Sequence, residues 1–161
     1  MSGTDPRKLA DEFFHCAYEQ QMKGEYEEAI GLYSRSIEAF PTAVAFTFRG
    51  WTYSFLGKLD EAISECLEAI RVDPGFGNPY NDIGAYLIEQ GKWDEAIPWL
   101  EKATRAPRYE AYCYPWFNMG RVYEHQHNWQ RAMECYRNAF KANRQYRVAL
   151  VSYRRLQAMC N

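Results

Sequence analysis

Apolar residues recur along this chain at intervals of three and four, the spacing that places side chains on one face of an α-helix. One such segment contains Tyr26, Ala29, Ile30, Tyr33 and Ile37. Another contains Trp93, Ala96, Ile97, Leu100 and Ala103. The spacing therefore predicts amphipathic helices, each of which must bury its apolar face against a neighbour.

A seven-residue pattern occurs four times. It reads GEYEEAI at residues 24–30, GKLDEAI at 57–63, GKWDEAI at 91–97 and, in a diverged copy, HNWQRAM at 127–133. The alanines of the four copies, Ala29, Ala62, Ala96 and Ala132, are 33, 34 and 36 residues apart. A second amphipathic segment precedes each turn, and a period of this length indicates stacked helix–turn–helix units.

Glycine and proline mark the ends and the contacts of these helices. A glycine stands two residues before the second helix of the first three units, where a left-handed residue ends the preceding helix: Gly24, Gly57 and Gly91. Another set lies inside first helices and is expected to allow close helix packing: Gly50, Gly84 and Gly120. Pro41 and Pro74 stop the second helix of units one and two.

The clearest copy of a known pattern is WFNMGRVY at residues 116–123. With the recurring alanines and terminal prolines, it resembles the tetratricopeptide-repeat pattern of W-x2-L-G-x2-Y, A-x3-F and P. The resemblance implies an all-α fold, a right-handed superhelix of stacked helix–turn–helix repeats, with four repeats in residues 10–146. Residues 1–9 are then an N-terminal tail and residues 147–161 a C-terminal capping helix. The longer spacing around residues 106–115 predicts a bend in the superhelix.

Composition narrows the class of protein. Of the 161 residues 47% are hydrophobic, which argues against disorder. No apolar run approaches the roughly 18 residues of a membrane-spanning helix, so no membrane partner is expected. The N-terminal segment lacks the apolar core of a signal peptide, which favours a cytoplasmic location. Five scattered cysteines are typical of reduced thiols rather than of a disulfide framework or a zinc site.

Charge is distributed unevenly along the chain. Residues 130–161 contain seven Lys or Arg and a single acid, Glu134, although the net charge of the whole chain is −2. The rest of the chain is therefore acidic, and nucleic acid is not expected as a partner. The contrast predicts weak head-to-tail self-association or capture of an acidic partner, either of which salt should weaken.

No catalytic residue, cofactor or metal is predicted. The nearest approach to a metal site is His125 and His127 beside Glu124, but residues two apart on a helix point about 200° apart. A polar turn is the favoured interpretation, and a metal-dependent enzyme is a distant alternative. The sequence GFGNPY at residues 75–80 follows no strand and is interpreted as a turn between repeats.

In the family that the chain resembles, the first helix of each repeat lines a concave groove. The resemblance places aromatic residues in its N-terminal half: Phe14, Tyr18, Phe48, Trp51 and Phe55. It places polar residues in its C-terminal half: Asn78, Asn81, Asn118 and Arg121. Such a groove suits an extended peptide, because asparagine offers both a donor and an acceptor. The alternative is that the first nine residues or a second copy of the chain cover the aromatic patch.

The resemblance also offers a test for one subclass. Members that bind chaperones hold a carboxylate with Lys, Asn and Arg, yet the corresponding positions of repeats one to three are Phe14/Tyr18, Phe48 and Asn78/Asp82. The sequence thus predicts a non-enzymatic protein–protein interaction module, an adaptor or scaffold for a protein or peptide, without that carboxylate site. The alternative function is a cytoplasmic chaperone of secreted proteins, similar to those of type III secretion.

Overall fold

The computed structural model describes residues 5–160, which form nine α-helices and, apart from one isolated bridge, no β-structure. The helices are α1 (Pro6–Lys23), α2 (Tyr26–Ala39), α3 (Ala43–Phe55), α4 (Leu59–Val72), α5 (Asn78–Glu89), α6 (Trp93–Arg105), α7 (Cys113–His125), α8 (Trp129–Ala142) and α9 (Arg147–Cys160). Each helix packs against the next, and the first helices of successive repeats also touch one another. The predicted all-α repeat solenoid is confirmed.

The turn inside each repeat depends on a left-handed residue. Gly24, Gly57 and Gly91 have φ angles of 85°, 73° and 76°, as their positions in the sequence predict. The fourth repeat adopts the same turn with a non-glycine residue, because His127 has φ 58°. The diverged fourth copy therefore keeps the backbone geometry of the repeat, although the Cβ of His127 makes this conformation sterically unfavourable.

The small residues of the repeat lie where helices approach most closely. Ala29, Ala62, Ala96 and Ala132 are completely buried. A Cβ on Gly120 would lie 2.5 Å from Cε1 of Tyr136. One on Gly84 would overlap the side chain of Leu100. The repeated residues are thus packing residues, as the sequence predicts.

Helices α1 and α9 form the two ends of the stack. Helix α1 begins at Pro6, with the Asp5 side chain accepting a hydrogen bond from the Arg7 amide, so helical structure starts within the segment predicted as a tail. The predicted bounds of the repeats stay a prediction. Residues 1–4 lie outside the described residues. At the other end, α9 packs on α8 and buries Ala149 and Leu156. The capping role of residues 147–161 stays a prediction.

The longer spacing between repeats three and four is taken up by a loop at residues 106–112. The loop runs beside the turn between α4 and α5: Gly77 N donates to Arg108 O at 2.9 Å, and Arg108 N donates to Gly75 O at 3.1 Å. A Cβ on Gly77 would lie 2.5 Å from Cβ of Tyr109, so glycine is needed for this approach. The loop thereby places Tyr109, which is buried, beside the first helices. The predicted bend stays a prediction.

Candidate interaction groove

The five aromatic residues predicted for the N-terminal half of the groove form one cluster. The Phe48 ring centroid lies 5.3 Å from that of Phe14, 5.9 Å from that of Tyr18 and 5.7 Å from that of Trp51. The Trp51 and Phe55 centroids are 5.2 Å apart. Helices α1 and α3 therefore present a continuous aromatic surface, which we call the aromatic patch.

The aromatic patch has an inner and an outer part. Phe14 and Phe48 are half-buried and pack against Tyr33 of the first repeat. Tyr18, Trp51 and Phe55 keep 41%, 37% and 47% of their surface exposed. Contiguous exposed apolar surface of this kind usually marks a binding site on a protein. The inner pair anchors the patch, and the outer three are available for contact.

One aromatic residue at the edge of the patch escaped sequence analysis. The Tyr26 ring stacks on that of Phe55, with centroids 5.1 Å apart and planes 10° from parallel. Tyr26 is the first residue of α2, a second helix, whereas the groove was predicted from first helices alone. Its position directly after the turn was the one feature of the sequence that could have placed Tyr26 near the patch.

In the polar half, three of the four predicted residues are joined by hydrogen bonds. Arg121 donates to Asn118 Oδ1 at 3.2 Å, and Asn118 Nδ2 donates to Asn81 Oδ1 at 3.1 Å. Asn81 Nδ2 in turn donates to Asp82 Oδ1 at 3.4 Å. Asn81 is buried, and both ends of its amide are engaged within the chain. Its role in binding a partner stays a prediction. Asn78, the fourth residue, is half-buried.

A cavity of about 340 Å³ lies between the aromatic and polar halves. Its walls include Phe48, Trp51, Asn78, Asp82, Tyr109 and Tyr114. Three of these were predicted to face a partner, whereas Tyr109 comes from the loop at residues 106–112. We call this space the central cavity.

Asp82 is the acidic group of the central cavity. Burial raises its pKa to about 7, and the hydrogen bond from Asn81 lowers it by a smaller amount. The ion pairs within residues 5–160 involve other acids, namely Glu65, Glu68, Asp73 and Glu124. Asp82 is therefore a half-buried carboxyl group without a basic partner in the described part of the chain.

The two histidines considered as metal ligands contact tryptophans instead. The His125 ring stacks on Trp93 at 4.1 Å with planes 15° apart, and the His127 ring lies edge-on to Trp129 at 5.2 Å. Residues 5–160 contain no group of three or more His, Cys, Asp or Glu side chains placed to hold a metal ion. In the same residues, no helix combines the length and apolarity needed to cross a bilayer.

Comparison with protein families decides the classification. Models described as tetratricopeptide repeat match residues 43–76, 80–105 and 113–146, the second, third and fourth repeats. The chain belongs to the tetratricopeptide-repeat family. The resemblance drawn from the sequence is thus confirmed.

Individual relatives extend this result. Small glutamine-rich tetratricopeptide repeat-containing protein 2 of Mycosarcoma maydis is 34% identical over 81 residues, which cover 50% of this chain and 23% of that protein. This chain therefore matches less than a quarter of the relative's length.

Two solved structures add to the comparison. The structure of Pseudomonas aeruginosa PilF matches 97% of this chain and 71% of its own with TM-score 0.89 and 19% identity, which shows a shared fold. The first tetratricopeptide domain of Spaghetti (RPAP3), bound to the HSP90 peptide SRMEEVD, matches 63% of this chain and 83% of its own with TM-score 0.60 and 25% identity.

Proposed function

We propose that this chain is a non-enzymatic protein-interaction module that binds an extended segment of a partner protein in the groove formed by α1, α3, α5 and α7. The observation that carries the proposal is the exposure of Tyr18, Trp51 and Phe55 in one patch beside the central cavity. Membership of the tetratricopeptide-repeat family supports an interaction module, and so does the peptide bound by the Spaghetti domain.

The course of the chain supports an open groove. Residues 6–9 are the first turn of α1, so they do not fold back over the aromatic patch. Within residues 5–160, no segment covers the outer aromatic side chains, which remain more than a third exposed. Among residues 5–160, the groove is therefore open on the side on which these rings lie.

The proposed partner segment differs in chemistry from the peptide of the Spaghetti domain. That peptide, SRMEEVD, contains three acidic residues. The groove here offers Phe14, Tyr18 and Phe48 in its N-terminal half and the Asp82 carboxyl group at its centre. Aromatic surface and a carboxyl group favour apolar and uncharged or basic side chains, and they disfavour acidic ones.

Truncation of Trp51 tests the proposal. Peptides are selected from a random decapeptide phage library on the full chain, and their affinities are measured by fluorescence anisotropy. Tryptophan is over-represented among residues whose loss costs about 2 kcal/mol or more of binding energy. Trp51→Ala should therefore weaken binding at least about tenfold, with helicity nearly unchanged because Trp51 lies outside the buried core.

Leu67→Ala is the matched control. Leu67 is 45% exposed on α4, a second helix, so its truncation removes apolar surface away from the first helices and should leave affinity unchanged. Equal binding by the Trp51 variant and the wild type would show that partners use another surface. Unfolding of the Trp51 variant would show that Trp51 is a core residue.

A further inference from the structure

The central cavity combines a small volume with two kinds of wall. At about 340 Å³ it lies near the lower end of the roughly 300–1,000 Å³ typical of ligand sites, so it suits one long side chain better than a cofactor. Aromatic side chains of Trp51, Tyr109 and Tyr114 form one part of its lining, and the carboxyl group of Asp82 forms another. Aromatic rings together with one acidic group favour a positively charged side chain over a negatively charged one.

We propose that the central cavity binds one cationic side chain, a lysine or an arginine, of the partner segment, with Asp82 as its ion-pair partner. This inference rests on the proposed function, and it adds the chemistry that selects the partner. The aromatic rings would hold the aliphatic stem and attract the charge, since ring faces attract cations at distances up to about 6 Å. Asp82 would supply the full charge.

The electrostatics of the free groove favour a cation from outside. Partial burial makes the carboxyl group of Asp82 costly to ionise unless it is paired, and the hydrogen bond that it accepts from Asn81 is long at 3.4 Å. Neither nearby arginine pairs with Asp82 in the described residues: Arg121 donates to Asn118, and Arg108 pairs with Asp73. A basic ligand side chain would therefore complete a pair that the described residues leave open.

The same geometry makes binding depend on pH. The pKa of Asp82 is about 7 in the free protein, and a bound cation lowers it, so binding releases a proton. The facing groups are Cys66 of α4, Tyr86 of α5 and Tyr109 of the loop, and burial raises the pKa of each above its usual range. They stay neutral between pH 6 and pH 8. On α7, Tyr114 lines the cavity and Arg121 donates to Asn118. Helix α3 contributes only uncharged side chains to the lining. Affinity should therefore be about tenfold higher at pH 8 than at pH 6.

Small cations test the cavity without any knowledge of the partner. n-Butylammonium and n-propylguanidinium mimic the ends of lysine and arginine, and n-butanol is the uncharged control. The full chain is titrated with each while the Trp51 indole N–H and the amides of Asn81 and Asp82 are followed by NMR. At least one cation should give saturable shifts at these positions at pH 8, weaker at pH 6, and n-butanol should not. The stronger of the two identifies lysine or arginine as the preferred residue.

Two charge-neutralising variants make the result decisive. Asp82→Asn keeps the shape of the side chain and should abolish the saturable shifts. Asp94→Asn removes the same charge from an exposed position at the start of α6 and should leave them unchanged. Equal shifts in the Asp82 variant, or shifts spread over the acidic surface, would overturn the proposal.

Peptides separate this inference from the proposed function. Library-selected decapeptides should contain a basic residue, and its replacement by norleucine should weaken binding about tenfold for the wild type and little for Asp82→Asn. Selected peptides that bind equally well after the replacement would leave the groove in place and refute the cationic site. If the cations bind at Asp82 but no decapeptide is retained, the peptide groove is refuted and the cation site stands.

Discussion

The Asp82 side chain has opposite effects on stability and on the proposed binding. Its folded pKa of about 7 lies above the ordinary value of 3.8, so between about pH 4 and pH 7 the folded state keeps a proton that the unfolded state releases. The free energy of unfolding therefore falls as the pH rises through this window, and the loss is complete above it. Asp82→Asn removes the ionisable group and should raise Tm at pH 8 by roughly 2–4 °C for each kcal/mol recovered.

Thermal denaturation at pH 4 and pH 8, followed by circular dichroism, measures this effect. The gain from Asp82→Asn should be larger at pH 8, because the wild type then carries a desolvated charge. Asp94→Asn, which removes a charge from an exposed position, should give no such gain at pH 8. An equal gain at both pH values would mean that Asp82 is ionised at little cost.

Individual side chains also show how far a sequence can predict the groove. The aromatic patch was predictable because its five members occupy repeated positions on first helices, and helical spacing fixes the face on which they lie. The hydrogen bonds of Asn81 were not predictable, because they join its amide to Asn118 of the next repeat and to Asp82. Periodicity assigns a residue to a face, but it does not say which neighbour across a repeat boundary takes its hydrogen bonds.

The turns that join the helices offer a test of the repeat itself. His127 holds the left-handed conformation that glycine adopts in the other three repeats, and this conformation costs a residue with a Cβ about 1–2 kcal/mol. His127→Gly should therefore increase the free energy of unfolding by up to about 1 kcal/mol, after the loss of the contact with Trp129. Urea denaturation provides the measurement.

The reverse change in another repeat is the control. A Cβ on Gly57 would touch nothing within 4 Å, so Gly57→Ala adds strain without a clash and should destabilise by about 1 kcal/mol. Loss of stability in His127→Gly would show that the contact between His127 and Trp129 outweighs the backbone strain.

The loop at residues 106–112 shows the limit of prediction for whole elements. Its position was evident from the spacing of 36 residues, but its path was not, because a loop has no periodicity. Gly77 restricts the path, because a Cβ there would lie 2.5 Å from Cβ of Tyr109, whereas Gly75 meets only the guanidinium end of Arg108. Both were interpreted correctly as turn residues. Their contacts with the neighbouring loop were not predictable, because they involve residues 31 to 33 positions away in sequence.

The C-terminal residues 130–161 of the stack are basic, whereas the rest of the chain is acidic. Residues 130–161 hold seven of the basic residues, and several lie on α8 and α9, where Arg155 pairs with Glu124 at 2.7 Å and Arg137 lies over the Tyr153 ring. Some of this charge is therefore neutralised locally. Other basic residues of α9 are exposed. The same helix carries an apolar strip, in which Val148 and Val151 are 45% and 62% exposed. Attraction between charges and burial of this strip are two different forces for association.

Salt distinguishes the two forces. The screening length falls from about 30 Å at 0.01 M to about 3 Å at 1 M, so charge-driven head-to-tail association should be detectable at the lower ionic strength and absent at the higher. Association through the α9 strip or the aromatic patch would persist, because burial of apolar surface does not weaken with salt. Sedimentation velocity at both ionic strengths makes the comparison.

Arg144→Glu, which reverses an exposed charge before α9, should reduce low-salt association, whereas Trp51→Ala should not. If Trp51→Ala alone abolishes self-association, a second copy covers the aromatic patch, and this copy competes with any peptide for the groove. A monomer at every ionic strength and at millimolar protein concentration would leave the basic end as a surface for an acidic partner only.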